Sequence, residues 1–146
     1  MYKRQRQHCA NAEYVVDFLK KHKEVTKVIY STEHDKPIAD RAKKYLKGGN
    51  GPRIGIELKG GIEAGKKFIE SLKMFYHVAN IGDARSLAIH PASTTHSQLN
   101  EKELAASGVT QSYVRLCIGI EHIDDIIEDL DQALNKSSKG NLKAVS

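Results

Sequence analysis

Two short apolar segments follow each other along the chain with only a brief turn between them. They are MFYHVAN at 74–80 and SLAIH at 86–90, and the turn-like IGDAR separates them. Neighbouring parallel strands normally need a crossover of about a dozen residues or more, usually a helix. We therefore predict a mixed or antiparallel sheet with helices packed on one of its faces.

The remaining segments alternate between helix-like and strand-like patterns. Alternating or continuous apolar residues predict strands at 25–30, 53–59 and 113–120. Helical spacing predicts helices at 11–22, 35–49, 63–73, 100–107 and 123–134. The inward face of the first helix is expected to carry Tyr14, Val15, Phe18 and Leu19. The predicted fold class is α+β, with one domain at 1–135 and a polar tail at 136–146.

The composition fits a single globular domain with its own core. Of the 146 residues, 40% are hydrophobic and 28% are charged, and a chain of this size can fold without disulfides or metals. No apolar run reaches the length of about 18 residues that a transmembrane helix needs, so we expect no membrane partner. The net charge of +5 is spread over several predicted helices. Nucleic-acid binding normally uses a concentrated basic patch, so we expect no nucleic-acid partner. Cys9 and Cys117 are interpreted as reduced thiols of a cytoplasmic protein.

Three local patterns suggest sites but have simpler explanations. GGIEAGKK at 60–67 has the glycine–lysine spacing of a nucleotide-binding loop, but a second lysine stands where such a loop has its magnesium-binding Ser or Thr. We interpret it as a glycine turn between a strand and a helix. His90 and His96 lack a third ligand at a recognised spacing, so no metal site is predicted. Cys9 lies beside His8 without a partner to orient it, and we interpret it as inert.

Arg115 is the candidate binding residue that the pattern itself singles out. It lies within YVRLCIGI at 113–120, an otherwise apolar strand, and arginine is rarely buried without a partner. One explanation is an internal ion pair with an Asp or Glu. The other is a ligand, because a guanidinium can hold a carboxylate through two parallel hydrogen bonds. The hydroxyl-rich loop HPASTTHSQ at 90–98 could line the same pocket, and the pattern leaves both explanations open.

Long stretches of the chain also resemble one enzyme family. ELKGGIEAGKKFIESLK, HVANIGDARSLAIHPASTTHSQL and ELAASGVTQSYVRLCIGIEHIDDIIEDLDQAL resemble the C-terminal part of the Cys/Met-metabolism enzymes that use pyridoxal phosphate, and among them the O-acetylhomoserine sulfhydrylases. The resemblance runs from about His8 to Leu134. It implies the small C-terminal domain of a fold-type I pyridoxal-phosphate enzyme, like that of aspartate aminotransferase, beginning in a truncated helix.

The resemblance assigns roles to individual residues. In the family, the serine of the SL pair and the arginine of the VRL strand hold the α-carboxylate of the substrate. This implies Ser86, with Leu87 beside it, and Arg115 as the substrate-binding residues here. The HPASTTH loop shapes the entrance of the active site, which implies a contribution from His90, Thr94, Thr95 and His96.

The resemblance also implies that the residues that bind the cofactor lie outside this chain. The family attaches pyridoxal phosphate to a lysine in a Ser-x-x-Lys setting of the large N-terminal domain, which has no counterpart in this sequence. SSK at 137–139 is rejected, because it lies in the polar tail with one serine too close to the lysine. We therefore expect the chain alone to be inactive and to contain neither catalytic nor cofactor-binding residues.

For the complete protein, the resemblance implies a γ-replacement reaction. The acetoxy group of O-acetyl-L-homoserine is replaced by sulfide or methanethiol, giving homocysteine or methionine. The implied partners are a small amino-acid substrate and three further copies in a homotetramer. Two alternatives stay open: another family enzyme, such as cystathionine γ-synthase or methionine γ-lyase, and a non-catalytic module that binds a carboxylate.

Overall fold

The computed structural model describes residues 2–95, 97–98, 100, 103 and 106–138, in which four helices and five strands are present. The helices are α1 (Tyr2–Lys21), α2 (Lys36–Tyr45), α3 (Gly61–Ser71) and α4 (Ile123–Ser138). The strands are β1 (Val25–Ile29), β2 (Arg53–Leu58), β3 (Tyr76–His77), β4 (Leu87–Ile89) and β5 (Tyr113–Cys117). A short 3-10 turn, Pro91–Ser93, follows β4. None of the described helices is both long enough and apolar enough to cross a membrane.

The strands form one mixed sheet in the order β1–β2–β5–β4–β3. Strands β1, β2, β5 and β4 pair with their neighbours antiparallel, whereas β3 runs parallel to β4. Residues 78–86 join this parallel pair without a helix, which is a shorter connection than parallel strands normally use. It suffices because β3 contains only Tyr76 and His77, so the chain has little distance to cover before β4 begins.

Helices α1, α3 and α4 form the core with one face of the sheet. Side chains alternate along a strand, which sends Ile54 and Ile56 of β2 and Leu116 of β5 to that face. The helical side chains that are fully buried against them are Val15, Leu19, Phe68, Ile126, Leu130 and Leu134. The predicted α+β class, with a mixed sheet and helices on one face, is confirmed.

Helix α1 differs from the prediction in its extent and its orientation. It begins at Tyr2 rather than at residue 11, and its buried side chains include Ala12, Val15, Val16 and Leu19. These positions follow the i, i+3, i+4, i+7 spacing of an inward helical stripe, which directs Tyr14 away from the core. Tyr14 is 64% exposed, so its predicted inward orientation was wrong.

Helix α4 continues beyond the predicted end of the domain. It runs to Ser138, so the predicted boundary between 135 and 136 lies inside a helix. Polar side chains support this last turn by bonding back to backbone carbonyls, as Ser137 Oγ does to Leu134 O at 2.7 Å. Ser137 is also buried. The prediction treated these residues as a tail because they are polar, although polar residues can continue a helix whose inner face is packed.

The predicted helix at 100–107 lies largely outside the described residues, but its first turn is visible in part. The Asn100 N–H donates to Glu103 Oε2 at 2.9 Å, and the Glu103 N–H donates to Asn100 Oδ1 at 3.0 Å. This reciprocal pair is the capping box that the sequence indicates. Gly108, at the predicted end, has a φ of 75°, which suits a helix terminus.

Candidate functional site

Arg115 lies on the face of the sheet opposite α1, α3 and α4. Its strand neighbours Val114 and Leu116 are fully buried in the core, whereas the Arg115 side chain is half-buried. Its cross-strand partners are Gly55 on β2 and Ile89 on β4. The apolar residues around Arg115 therefore do not bury its guanidinium in the core, because alternation puts it on the other side of the sheet.

The guanidinium of Arg115 has a single hydrogen-bond partner among the residues that the structure describes. It donates from Nη2 to the backbone carbonyl of Asn80 at 3.5 Å. No carboxylate in the described part of the chain lies within 4 Å of it. The internal ion pair that the sequence left open is thus not formed there. The charge is available to an anion from elsewhere.

Tyr113 is a neighbour of this site that sequence reasoning missed. Its ring lies over Gly55, where an added Cβ would be 2.5 Å from Cε2 of the ring. Glycine at this strand position therefore makes room for the tyrosine. Burial raises the pKa of the Tyr113 phenol, and the charges of Arg53 and Arg115 oppose that rise. The hydroxyl stays protonated near neutral pH and can donate a hydrogen bond.

Ser86 does not lie beside the guanidinium of Arg115. It is fully buried and directly precedes β4, so alternation puts its side chain on the side of Ala88, opposite Leu87 and Ile89. Its hydroxyl donates to Glu121 Oε2 at 2.9 Å and accepts from the Gly119 N–H at 2.9 Å. Both bonds are internal, so the structure separates the two side chains that the sequence had assigned to one carboxylate.

Leu87 is the implied site residue that shares the face of Arg115. It pairs with Cys117, two positions along β5 from the arginine, and both residues are buried. Leu87 therefore contributes an apolar wall rather than a polar contact. Cys117 is buried on this face and is not part of the helical core.

The loop after β4 uses its polar side chains mainly to bond itself together. His90 is fully buried; its Nε2 lies 2.8 Å from Gln111 O and its Nδ1 lies 2.8 Å from Ser93 Oγ. Thr94 Oγ1 donates to His90 O at 2.9 Å. Thr95 is within the described residues and has an interaction of its own, whereas His96 lies outside them. The described part of this loop therefore has a structural function.

Glu121 is the second residue that sequence reasoning missed. Besides accepting from the Ser86 hydroxyl, its carboxylate accepts the Ser86 N–H at Oε1, at 2.6 Å. Its backbone carbonyl accepts from Asn11 Nδ2 at 3.0 Å. The one sequence signal is a glutamate placed directly after the apolar run of β5. Glu121 thus joins α1, β4 and the turn that follows β5.

The glycine–lysine pattern at 60–67 has a structural explanation. Gly60 and Gly61 have φ values of 96° and 65° and form the turn into α3. Gly65 packs against the ring of His90, where a Cβ would be too close. Lys66 pairs with Glu63 at 3.0 Å. These contacts account for each conspicuous residue without a phosphate ligand.

The histidines and cysteines do not form a further site among the described residues. No group of three His, Cys, Asp or Glu side chains in that part of the chain is arranged to hold a metal. His8 uses Nδ1 to bond Ile118 O at 2.7 Å, so that nitrogen is not available to the thiol of Cys9. Gly49 leaves room for Cys9, because an added Cβ would lie 2.7 Å from its sulfur.

The described lysines do not fit the attachment of a pyridoxal cofactor. A lysine that forms a Schiff base is normally desolvated so that its amine can lose its proton. Each lysine in the described part of the chain is half-buried or exposed. For Lys20, a hydrogen bond and the charge of Glu33 raise the pKa, which favours the protonated form.

Comparison with known proteins identifies the family. The family described as Cys/Met metabolism PLP-dependent enzyme matches residues 1–135. The chain belongs to this family. Membership in this family supports the assignment to fold-type I. A solved structure of similar sequence has the same fold over this region.

Three relatives illustrate how far the similarity extends. The chain is 49% identical over 132 residues to the O-acetyl-L-homoserine sulfhydrylase of Leptospira meyeri, covering 90% of this chain and 30% of that enzyme. It is 44% identical over 133 residues to the L-methionine gamma-lyase of Fusobacterium nucleatum, a match that covers 91% of this chain and 33% of that enzyme. A solved structure from Campylobacter jejuni, described as an O-acetylhomoserine (thiol)-lyase, is 41% identical to this chain and has a TM-score of 0.82. The match covers 90% of this chain and 31% of that one. That structure carries a pyridoxyl-lysine phosphate group. The chain spans about a third of the length of these relatives.

Proposed function

We propose that this chain is the C-terminal, substrate-binding part of a pyridoxal-phosphate-dependent O-acetylhomoserine sulfhydrylase. The complete protein would replace the acetoxy group of O-acetyl-L-homoserine by sulfide or methanethiol, releasing acetate and forming homocysteine or methionine. The similarity to a sulfhydrylase over 90% of this chain supports this substrate. The same proposal includes a homotetramer, a cytoplasmic location and the domain predicted at 1–135, extended to the end of α4 at Ser138.

The observation that carries the proposal is the available guanidinium of Arg115. It stands on the face of the sheet opposite α1, α3 and α4, bonds only a carbonyl among the described residues, and has no carboxylate there within 4 Å. A guanidinium in this state can donate two parallel hydrogen bonds to the oxygens of an amino-acid carboxylate. Arg115 would therefore orient the substrate, with Leu87 and Tyr113 beside it. Ser86 would contribute indirectly, because its hydroxyl is already used inside the domain.

The loop at 90–98 has a limited role in the proposal. Its described polar groups hold the loop in shape, which would keep the entrance of the site in place. Pyridoxal phosphate and the lysine that binds it would come from the rest of the protein. The absence of a buried lysine among the described residues supports that division.

The test is substitution of Arg115 in the full-length protein that contains this chain. Losing one partner of a desolvated, hydrogen-bonded charge pair costs about 2–5 kcal/mol, which corresponds to about 30-fold to 3,000-fold at 1.4 kcal/mol per decade. Arg115→Ala should lower kcat/KM for O-acetylhomoserine by this amount and leave the cofactor bound. Arg115→Lys should recover only part, since an ammonium cannot form the two parallel bonds.

Arg53→Ala is the matched control, because Arg53 is an exposed cation on the same face of the sheet. Its removal should change kcat/KM by no more than about twofold, the usual scale of a surface substitution. Equal losses in both variants would mean that overall charge matters and not a specific bond. A folded Arg115→Ala protein with normal kcat/KM would contradict the proposal that Arg115 binds the substrate carboxylate.

A second function has one observation in its favour, the 44% identity to a methionine gamma-lyase. Such an enzyme would act on methionine itself instead of exchanging the acetoxy group of O-acetylhomoserine. Arg115 would bind the carboxylate of either substrate. Assaying the full-length protein with methionine alone, and with O-acetylhomoserine plus sulfide, distinguishes the two functions. We expect turnover with the second pair.

A further inference from the structure

The segment that contacts Arg115 has an exposed first part and a more firmly bonded second part. Asn80, Ile81 and Gly82 are exposed, and Asn80 supplies the carbonyl that meets the guanidinium. Its side chain accepts the Ile81 N–H, at 2.9 Å, and so bonds only within its own turn. The firm attachments of this segment in the described part of the chain come later, at Ala84 and Ser86.

One of those attachments goes to β3, since the Ser86 carbonyl accepts the Tyr76 N–H at 3.0 Å. The others converge on the turn after β5. The Ile120 N–H donates to Ala84 O at 2.9 Å. The Glu121 carboxylate accepts both the N–H and the hydroxyl of Ser86, at 2.6 and 2.9 Å. The approach is close, because a Cβ on Gly119 would lie 2.5 Å from Ala84 O and from Ser86 N. The turn therefore admits no side chain between itself and this segment.

A charged acceptor makes these bonds stronger than a neutral one would. Glu121 spends both carboxylate oxygens on Ser86 and does not lie within 4 Å of Arg115. It therefore stabilises the segment without neutralising the guanidinium. Since Arg115 is on β5 and Glu121 follows the same strand, the carboxylate fixes the segment to the strand that bears the arginine.

We propose that Glu121 is a positioning residue that holds segment 80–86 against β5 and thereby sets the geometry of the Arg115 guanidinium. It acts through Arg115 and does not touch the substrate. This inference rests on the proposed function for its effect on catalysis, whereas the fixing of the segment follows from the bonds of Glu121 and can be measured without turnover.

The first test is a double-mutant cycle in the full-length protein with O-acetylhomoserine and sulfide. Glu121→Gln keeps the size of the side chain but replaces one accepting oxygen by an NH2 group, which cannot accept from Ser86. We expect KM for O-acetylhomoserine to rise about tenfold and kcat to change less than about threefold, because weaker ground-state binding raises KM alone. In an Arg115→Ala background the same substitution should add less than about twofold, since residues that act through one another are not additive.

Asp129→Asn is the matched control. Asp129 is also a carboxylate that accepts backbone N–H groups, but those of Lys73 and Met74, at 2.9 and 2.8 Å. It holds a different segment, so its replacement should lower the melting temperature and leave KM unchanged. If both variants raise KM equally, the role of Glu121 is only structural and the proposal fails. Full additivity with Arg115→Ala has the same consequence.

Amide hydrogen exchange on the same full-length proteins gives the readout that does not depend on turnover. Glu121→Gln should accelerate exchange in segment 80–86 about tenfold or more, because the Ser86 N–H loses its acceptor. Asp129→Asn should accelerate exchange at 73–75 instead. Unchanged exchange at Ser86 overturns the proposal. If the wild-type protein does not act on O-acetylhomoserine, the proposed function fails while exchange still decides the role of Glu121.

Should Glu121→Gln fail to fold, Ser86→Ala replaces it in both measurements. That change removes the bonds of the hydroxyl to Glu121 Oε2 and to the Gly119 N–H, and it keeps the bond of the Ser86 N–H to Oε1. We then expect KM to rise by less than the tenfold expected for Glu121→Gln. Amide exchange in segment 80–86 should be faster than in the wild-type protein. No change in either quantity would contradict the proposal.

Discussion

At the scale of single residues, close contacts between small and large side chains determine the surroundings of the candidate site. Gly55 accommodates the ring of Tyr113 and Gly65 accommodates the ring of His90. In the sequence, Gly55 is one residue of a predicted strand, and Gly65 belongs to a pattern that is similar to a phosphate-binding loop. Their partners lie far away along the chain, so spacing alone could not reveal that packing is the reason for them.

Gly65→Ala tests the contact with His90. Alanine improves helix propensity by about 1 kcal/mol, but overpacking a core position costs about 1–3 kcal/mol. His90 is fully buried and bonded at both ring nitrogens, so it cannot move aside without losing those bonds. The cost should therefore lie in the upper part of that range, at about 2–3 kcal/mol. We expect a net loss of about 1–2 kcal/mol in the free energy of unfolding, measured by urea denaturation. At about 2–4 °C per kcal/mol, the melting temperature should fall by about 2–8 °C.

Gly48→Ala is the control for this experiment. Nothing lies within 4 Å of a Cβ built at Gly48, so its stability should stay close to that of the wild type. A Gly65→Ala protein as stable as the wild type would show that the His90 ring has room to shift.

His90 should also make stability depend on pH. Burial lowers the pKa of its imidazole, an effect that the hydrogen bond to Gln111 O and the charge of Glu63 oppose while those of Lys66 and His77 add to it. The unfolded chain binds a proton at this position below a pH of about 6.5, whereas the folded chain binds it only at lower pH. The unfolded state then holds more protons, so stability rises with pH in this window and falls as pH drops from 6.5 through the folded pKa. The slope from this one group is at most about 1.4 kcal/mol per pH unit.

Titration of the His90 ring by NMR measures this directly, alongside urea denaturation between pH 7 and 5. The midpoint should lie below 6.5. A midpoint at or above that value would mean that the ring is hydrated or paired in the folded protein.

At the scale of elements, the sequence predicted strands and the packed helical faces better than helix ends. The spacing of apolar residues predicts β2 and β5, because every second side chain of a strand lies on the same buried face. The end of α4 at Ser138 was missed because its last turn is stabilised by side chains that bond back to carbonyls, which leaves no apolar pattern. The parallel pairing of β3 with β4 was not specified either, since two residues carry almost no periodic signal.

Asp129 provides a test at this scale, because it joins α4 to the segment after α3. Its carboxylate accepts N–H groups of Lys73 and Met74 and is buried. Leaving buried donors without an acceptor costs about 1–3 kcal/mol, so Asp129→Asn should lower the free energy of unfolding by that amount in urea denaturation. Asp125→Asn, at an exposed position in the first turn of α4, should cost only about 0.3–1 kcal/mol. Equal losses would indicate that the charge near the helix terminus matters and not the contact with 73–75.

At the scale of the whole molecule, the sequence identified the family and the candidate arginine, but not the arrangement around it. Arg115 was conspicuous because it interrupts an apolar strand. That Ser86 faces away from it and bonds Glu121 depends on the pairing of β4 with β5, which is a long-range property. Resemblance assigned Ser86 and Arg115 to one carboxylate, whereas the strand geometry gives them separate surroundings.

The chain of residues 1–146 on its own should lack both a specific cofactor site and activity. Its described lysines are half-buried or exposed, whereas a lysine that forms a Schiff base is normally desolvated. With one equivalent of pyridoxal phosphate followed by borohydride, peptide mapping should find the label spread thinly over several lysines, and assays with O-acetylhomoserine and sulfide should detect no turnover. The full-length protein, treated in the same way, should carry about one label on a single lysine outside this segment. A stoichiometric label on one lysine of the isolated chain would show that the segment has a cofactor site of its own, and the proposed division between substrate-binding and cofactor-binding parts would be wrong.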